Sequence, residues 1–182
     1  MRKTDARIRY TQGVLKQALL SFLQEKPINK ITVKEVCERA ELNRATFYAH
    51  YSDCFALLES IEEDLLEAFQ QSLKLVDSFD VTALIEAIYT MIEQQQEACR
   101  VLIFQNVCPN VLRRMISLAR DESISYWKRH LHHITDAELE MLYTHLSNGL
   151  MHVVVEGYEK YGREEVVRFV NRIVQCSLSQ FQ

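Results

Sequence analysis

Residues 31–51, Ile-Thr-Val-Lys-Glu-Val-Cys-Glu-Arg-Ala-Glu-Leu-Asn-Arg-Ala-Thr-Phe-Tyr-Ala-His-Tyr, hold two helix-start signals so close together that only two short helices and a tight turn fit between them. At the first, Thr32 and Glu35 have the spacing of a capping box. Val33, Val36, Cys37 and Ala40 follow at i, i+3, i+4 and i+7, a single apolar stripe. Asn43 supplies the second cap. With Phe47 taken as the inward reference, Tyr51 lies about 40° from it at roughly 100° per residue, and Ala45 and Ala49 point away from the core. Small outward residues let a helix axis sit close to a groove floor. Arg44, Thr46 and Tyr48 on the flanks offer donors to base edges and phosphates, so the face suits DNA.

Around this segment the chain reads as all-α. Only four Gly and two Pro punctuate 182 residues, and the hydrophobic 48% falls at helical rather than alternating spacing, without repeats or low-complexity tracts. A first helix is expected from about Asp5 or Thr11 to Glu25, with Leu15, Ala18, Leu19 and Phe22 as its stripe and Pro27 closing it. After Ser52-Asp53 a long helix carries Phe55, Leu58, Ile61, Leu65 and Phe69 to about Leu75. Being continuous, it can pass a tilt from one part of the chain to another. Further helices are expected near 81–97, 99–106, 109–132, 136–160 and 163–180, with Pro109 at a first helical position and Thr135 with Glu138 as a second capping box. The last two have apolar stripes wide enough for more than one neighbour, and Gly162 separates them. The pattern divides the chain into a three-helix head, residues 1–52, and a larger helical domain, residues 53–182.

Charge is segregated along the chain. Residues 1–51 hold ten Lys and Arg against five Asp and Glu, and the remainder holds eleven against twenty, so +5 stands against −9 within a net −4. A basic end on an acidic body suits a protein that meets phosphates at one end only, although two ordinary solvated surfaces would look the same. No stretch approaches the roughly 20 apolar residues of a membrane helix, and the basic start lacks a following apolar segment and cleavage site. The odd cysteine count, Cys37, Cys54, Cys99, Cys108 and Cys176, suits a reducing cytoplasm, with Cys54 the candidate for an oxidant-accessible thiol. His130, His132 and His133 beside Asp136 have the spacing of an exposed polar turn rather than of a metal site. With no phosphate loop, nucleophile elbow or His-Glu-x-x-His pair, neither an enzyme nor a cofactor is indicated.

From about residue 5 to about residue 75 the chain resembles the DNA-binding region of TetR-type transcriptional regulators. The likeness is carried by Ile31-Thr32-Val33 through Ala40 and by Asn43-Arg44-Ala45-Thr46-Phe47-Tyr48-Ala49-His50-Tyr51. Beyond residue 75 it is one of layout. The resemblance implies Arg44, Ala45, Thr46 and Ala49 near base edges of double-stranded DNA, Thr32, Tyr48 and His50 near the phosphate backbone, and Asn43 at the head of that surface. It implies a homodimer through the helices near 136–160 and 163–180, binding a near-palindromic operator, most often as a repressor. It also implies a pocket for a small-molecule effector, surrounded by segments that carry Met91, Phe104, Met115, Trp127 and Tyr143, for each of which core packing is the competing role. Some relatives with a Thr-Phe-Tyr-x-His-Tyr helix work through a protein co-regulator instead. Asn148-Gly149 matches the layout in which a small residue lets helices approach. Two positions depart from the family pattern: Glu41 stands where a turn Gly is usual, which demands a left-handed side chain or a reshaped turn, and Cys54 stands where a Lys commonly meets phosphate. A different class, an all-helical carrier or adaptor for a hydrophobic ligand or protein partner, is set against this reading by the segregated charge.

Overall fold

Pro27 and two capping side chains cut the opening third of the chain into three pieces. The computed structural model describes residues 3–74, 81–105 and 107–181, with no strand among them. Helix α1 spans Lys3–Leu23, a 3-10 turn over Ile28–Lys30 follows Pro27, and α2 (Val33–Arg39) and α3 (Arg44–Tyr48) come next. The capping box at α2 is complete. Thr32 Oγ1 accepts from the Glu35 amide at 3.3 Å, and Glu35 Oε2 accepts from the Thr32 amide at 2.9 Å and from its hydroxyl at 2.7 Å. Lys26 Nζ donates to the other carboxylate oxygen at 2.6 Å. Lys26 foremost, and then Thr32, hold the Glu35 carboxyl down to about 2 from its ordinary 4.5.

The turn after α2 has the hydrogen bonds of a Schellman closure: the Leu42 amide returns to the Cys37 carbonyl at 2.9 Å and the Glu41 amide to the Glu38 carbonyl at 3.3 Å. That closure needs a left-handed residue at Glu41, whose φ is 54°. Of the two expected outcomes the chain takes the strained side chain, at about 1 kcal/mol relative to Gly.

The chain divides into two compact units. The first comprises residues to Leu65 together with Glu97–Val107. Its α1 packs on α2 and α2 on α3, around Leu15, Leu19, Val36, Phe47 and Leu57, all fully buried. Arg39 lays its guanidinium 3.9 Å over the Phe22 ring and donates to Ser21 Oγ at 2.9 Å. Lys16 ties α1 to the start of α4 (Cys54–Lys74) through Asp64 at 2.5 Å and the Ser60 carbonyl at 3.3 Å. Helix α6 (Gln96–Cys99) runs into a π-helical turn over Arg100–Phe104, where Arg100 donates to Gln24.

The second unit takes the end of α4 with α5 (Val81–Gln94), α7 (Pro109–His130), α8 (Asp136–Lys160) and α9 (Arg163–Leu178). Here α8 packs on α7 and α9, and α9 on α5. Arg163 opens α9 against Glu86 and, at 3.1 Å, Glu93, with its guanidinium 5.5 Å from the Tyr89 ring centre. Thr135 and Glu138 complete the second capping box, and Pro109 takes the first position of α7.

The structure differs from the expected layout at several points. Phe55 is 56% exposed, because the buried stripe of α4 begins at Cys54 and continues through Leu57, Leu58, Ile61, Leu65 and Phe69. The expected end of that helix near Leu75 lies outside the described residues. A turn at Gln95 ends α5, the next segment widens into the π turn, and the helices expected to reach 132 and 180 stop at His130 and Leu178. The close approach of helices occurs at Gly157, where an added Cβ would stand 2.7 Å from Val166 Cγ2, whereas Gly149 has nothing within 4 Å in this chain.

Two outcomes follow from this packing. Gly157→Ala should destabilise the chain by about 1–3 kcal/mol in denaturant unfolding, since overpacking outweighs the gain in helix propensity. Gly149→Ala should instead stabilise α8 by up to about 1 kcal/mol, and a loss there would show that this face meets a second chain. Because the Glu35 carboxyl is depressed in the folded state, its contribution is present above pH 4.5 and is lost as pH falls towards about 2. Acid titration followed by circular dichroism should therefore show Glu35→Gln lacking the part of the stability decline that the parent shows between those values.

Candidate nucleic-acid interface

Helix α3 is one five-residue turn and a half, too short to stand without tertiary support. Asn43 starts it, its Oδ1 accepting from the Thr46 amide at 2.7 Å and from the Thr46 hydroxyl at 2.9 Å. Phe47 is fully buried and Tyr51 nearly so, their ring centres 5.9 Å apart. Tyr48 meets the Phe47 ring edge-on at 5.6 Å while remaining 57% exposed. Ala45, Ala49, Asn43 and Arg44 are exposed, and Thr46 and His50 half-buried. The sequence thus places a flat, small-residue surface outward on a helix fastened from behind by two rings.

Several electrostatic details qualify what each side chain can offer. Arg44 and the exposed Lys30 have no ion pair among the described residues, so both charges face solvent uncompensated. Lys26, Lys34 and Arg39 are each engaged with Glu35, Glu38 and Glu25. Thr32 is exposed, yet both its donors point at Glu35. The Thr46 hydroxyl proton goes to Asn43, leaving its oxygen as an acceptor. Cys54 is buried, and burial foremost pushes its thiol up to about 11, which removes it as an oxidant-accessible thiolate. The Tyr51 hydroxyl is buried without a hydrogen-bond partner among the described residues.

In the second unit a cavity of about 340 Å³ opens between α4, α5, α7, α8 and α9. Trp127 and Tyr143 are among the residues that line it. Met91 and Met115 do not: they are 2% and 1% exposed and fill the core away from this wall, and Phe104 belongs to the π turn of the other unit. The resemblance named these three only for the segments that carry them, with core packing the favoured role of each, and helical phase decides which side chains face a cavity. The wall residues missed by sequence reasoning include Ile85, Ile88, Ser147 and Leu150. A signal was present on α8, where a Ser interrupts an otherwise apolar run at Tyr143, Leu146, Ser147, Leu150 and Val154.

No family model matches the chain. Over 62 residues it is 37% identical to a protein of Bacillus subtilis (strain 168) described as the uncharacterized HTH-type transcriptional regulator YxbF, a match that takes in 34% of this chain and 16% of that protein's length. Among solved structures it is similar to a TetR transcriptional regulator from Streptococcus agalactiae 2603V, with a TM-score of 0.69 and 24% identity over 94% of this chain and 97% of that one. It is also similar to the dihydroxyacetone kinase operon activator DhaS, with a TM-score of 0.63 and 16% identity over 94% of this chain and 98% of that one. At these identities the likeness is one of architecture, and it extends nearly end to end. Among the described residues a three-helix head, a long fourth helix and five further helices give the chain the fold of the TetR-type transcriptional regulators.

Proposed function

We propose that this chain is a cytoplasmic DNA-binding transcriptional regulator of the TetR type, with residues 1–52 reading DNA and residues 53–182 dimerising and receiving an effector. The observation that carries this reading is the outward face of α3: Ala45 and Ala49 are exposed while Phe47, on the opposite side, has no exposed surface. Such a face admits the helix to a major groove, where Arg44 reaches base edges from the first turn and Tyr48 and His50 reach the backbone. The +5 charge of residues 1–51 against −9 for the rest supports the same end of the molecule as the one that meets phosphate.

Dimerisation is assigned to α8 and α9, which leave Met141 63% and Phe169 40% exposed, large apolar side chains that a second copy would cover. A two-fold dimer presents two copies of α3 to the half-sites of a near-palindrome. The proposed sign is repression, relieved when a ligand enters the cavity of the second unit. Phe69 and Leu73 of α4 line that cavity, and α4 begins at Cys54 in the other unit, so a ligand that displaces these side chains acts on a helix the head also uses. Coupling of this kind is on the order of 1 to 3 kcal/mol and is reciprocal: effector must lower operator affinity by the factor that operator lowers effector affinity.

Selection of bound sequences from a random duplex pool tests binding, symmetry and half-site spacing together. Recovered sites should be near-palindromic, and affinity should fall steeply with salt. Absence of salt-dependent binding would leave the carrier or adaptor reading in its place. On a selected site, Arg44→Ala should cost about 1–3 kcal/mol and relax preference at one position in each half-site. Tyr48→Phe should weaken binding to all sequences by a similar factor with base preference intact. Equal changes in specificity for the two variants would refute these roles.

A further inference from the structure

The walls of the cavity in the second unit are uniform in one respect. Among the described residues none of its lining side chains is Lys, Arg, Asp or Glu. A buried cation would find no carboxylate there and a buried anion no Lys or Arg, and an ion desolvated without a partner is strongly disfavoured. The polar side chains on the wall are few: besides the exposed Gln175 and the ring groups of Tyr126 and Trp127 they are Tyr143, Ser123, His130 and Ser147, and three of these four are committed. The Tyr143 hydroxyl donates to the Ile116 carbonyl at 2.6 Å, and burial pushes this phenol up to about 12, so it stays neutral. Ser123 Oγ donates to the Ala119 carbonyl at 2.7 Å. His130 turns Nδ1 to the Tyr126 carbonyl at 2.8 Å and stacks on the Tyr126 ring at 4.0 Å. Ser147 Oγ differs: its near polar neighbour is the Tyr143 phenol, with which it makes no hydrogen bond of normal geometry, and it is covered in this rotamer, so that a turn about χ1 is what brings it to the void. Buried polar atoms without partners are rare in native proteins, and an unpartnered hydroxyl on the wall of an apolar cavity is a ready anchor for a ligand oxygen.

We infer that the cavity takes a small, uncharged, mainly apolar molecule carrying one hydroxyl or carbonyl oxygen, with that oxygen hydrogen-bonded to Ser147 and the apolar body packed against Trp127, Leu146 and Leu150. The inference rests on the reading of the second unit as an effector domain and adds the chemistry of what it accepts. About 340 Å³ lies at the low end of small-molecule pockets, which suits a chain or ring system of modest size. A cationic amphiphile finds no carboxylate on this wall, and an anionic one finds only the His130 imidazole, whose Nδ1 is already turned to the Tyr126 carbonyl.

The chain has a single tryptophan, and it stands on this wall, so its emission reports the cavity directly. The full-length protein would be titrated with 1-decanol, decanoate and decylammonium, reading Trp127 emission, with duplex affinity followed in parallel. Saturable binding of 1-decanol, at least about tenfold tighter than either charged probe, is expected. Ser147→Ala should weaken 1-decanol about fivefold, the effect of one neutral hydrogen bond, while leaving the thermal midpoint and the weak response to the charged probes unchanged. Leu150→Phe should abolish the decanol response by filling the cavity, with helicity checked by circular dichroism. Preference for decanoate, especially one that grows on acidification and so implicates His130, would overturn the inference. So would preference for decylammonium, an unchanged decanol affinity in Ser147→Ala, or no saturable response to any probe. Decanol binding without any change in duplex affinity would keep the inference and sink the release mechanism proposed above, whereas duplex binding with a cavity that prefers charged probes would do the reverse.

Discussion

The surface presented by α3 depends on Phe47 being fixed in the core. A helix of five residues has no cooperative stability of its own, so its orientation is inherited from what holds its inner side. Burial of a Phe side chain contributes about 1.5–3 kcal/mol, and an Asn cap about 1 kcal/mol more. Against these stand two local strains. Glu41 sits in the left-handed region at about 1 kcal/mol, and the Tyr51 hydroxyl, buried without a partner, costs on the order of 1–3 kcal/mol. The terms are of similar size, so the orientation of α3 rests on the ring cluster of Phe47, Tyr48 and Tyr51 rather than on the helix itself. A slip of one residue would turn the helix by about 100° and replace the alanines with bulkier side chains.

The parts of this architecture that were legible in the sequence are those written in local chemistry. Both capping boxes, the Asn43 cap, Pro109 at a first helical position and the inward phase of Phe47 need only residues within one or two turns of each other. Glu41 is a similar case, since a Schellman closure without Gly admits few backbones. What could not be read depends on partners distant in sequence. Nothing local distinguishes Gly149 from Gly157, and only the position of Val166 on α9 makes the second a contact. Phe55 continues an apolar spacing that fits α4 as well as Cys54 does, and burial is decided by which neighbours reach the first turn. Met91 and Met115 lie on segments that suit a ligand wall, yet their phase on α5 and α7 sends them into the core, while the Ser that interrupts the apolar run of α8 marks Ser147 as unusual without saying which helices close around it.

The capping box at α2 bears on how the proposed DNA contact is distributed. In the resemblance, Thr32 belongs to the phosphate-facing group, and its exposure permits that. But the amide and hydroxyl of Thr32 both donate to Glu35, a carboxylate held ionised by those bonds and by Lys26. A phosphate arriving at Thr32 would have to take a donor from Glu35 and accept a neighbouring negative charge, although solvent screening limits that repulsion at an exposed site. Cys54, buried where a cation is common in the family, offers no compensation. Among the described residues of the turn and α3, the uncommitted charges are on Arg44 and Lys30 and the uncommitted exposed hydroxyl is that of Tyr48, while α1 adds an exposed Arg7 and Tyr10. On the proposed reading, a head organised this way would lean on α3 for both base edges and backbone, with α2 serving more to stiffen the turn than to grip a duplex. Affinity for non-cognate DNA would then rest on few cations, and a larger share of the proposed binding would come from the fit of α3 to the groove. That is the regime in which correct seating of Phe47 decides not only whether the head folds but which sequences it can hold.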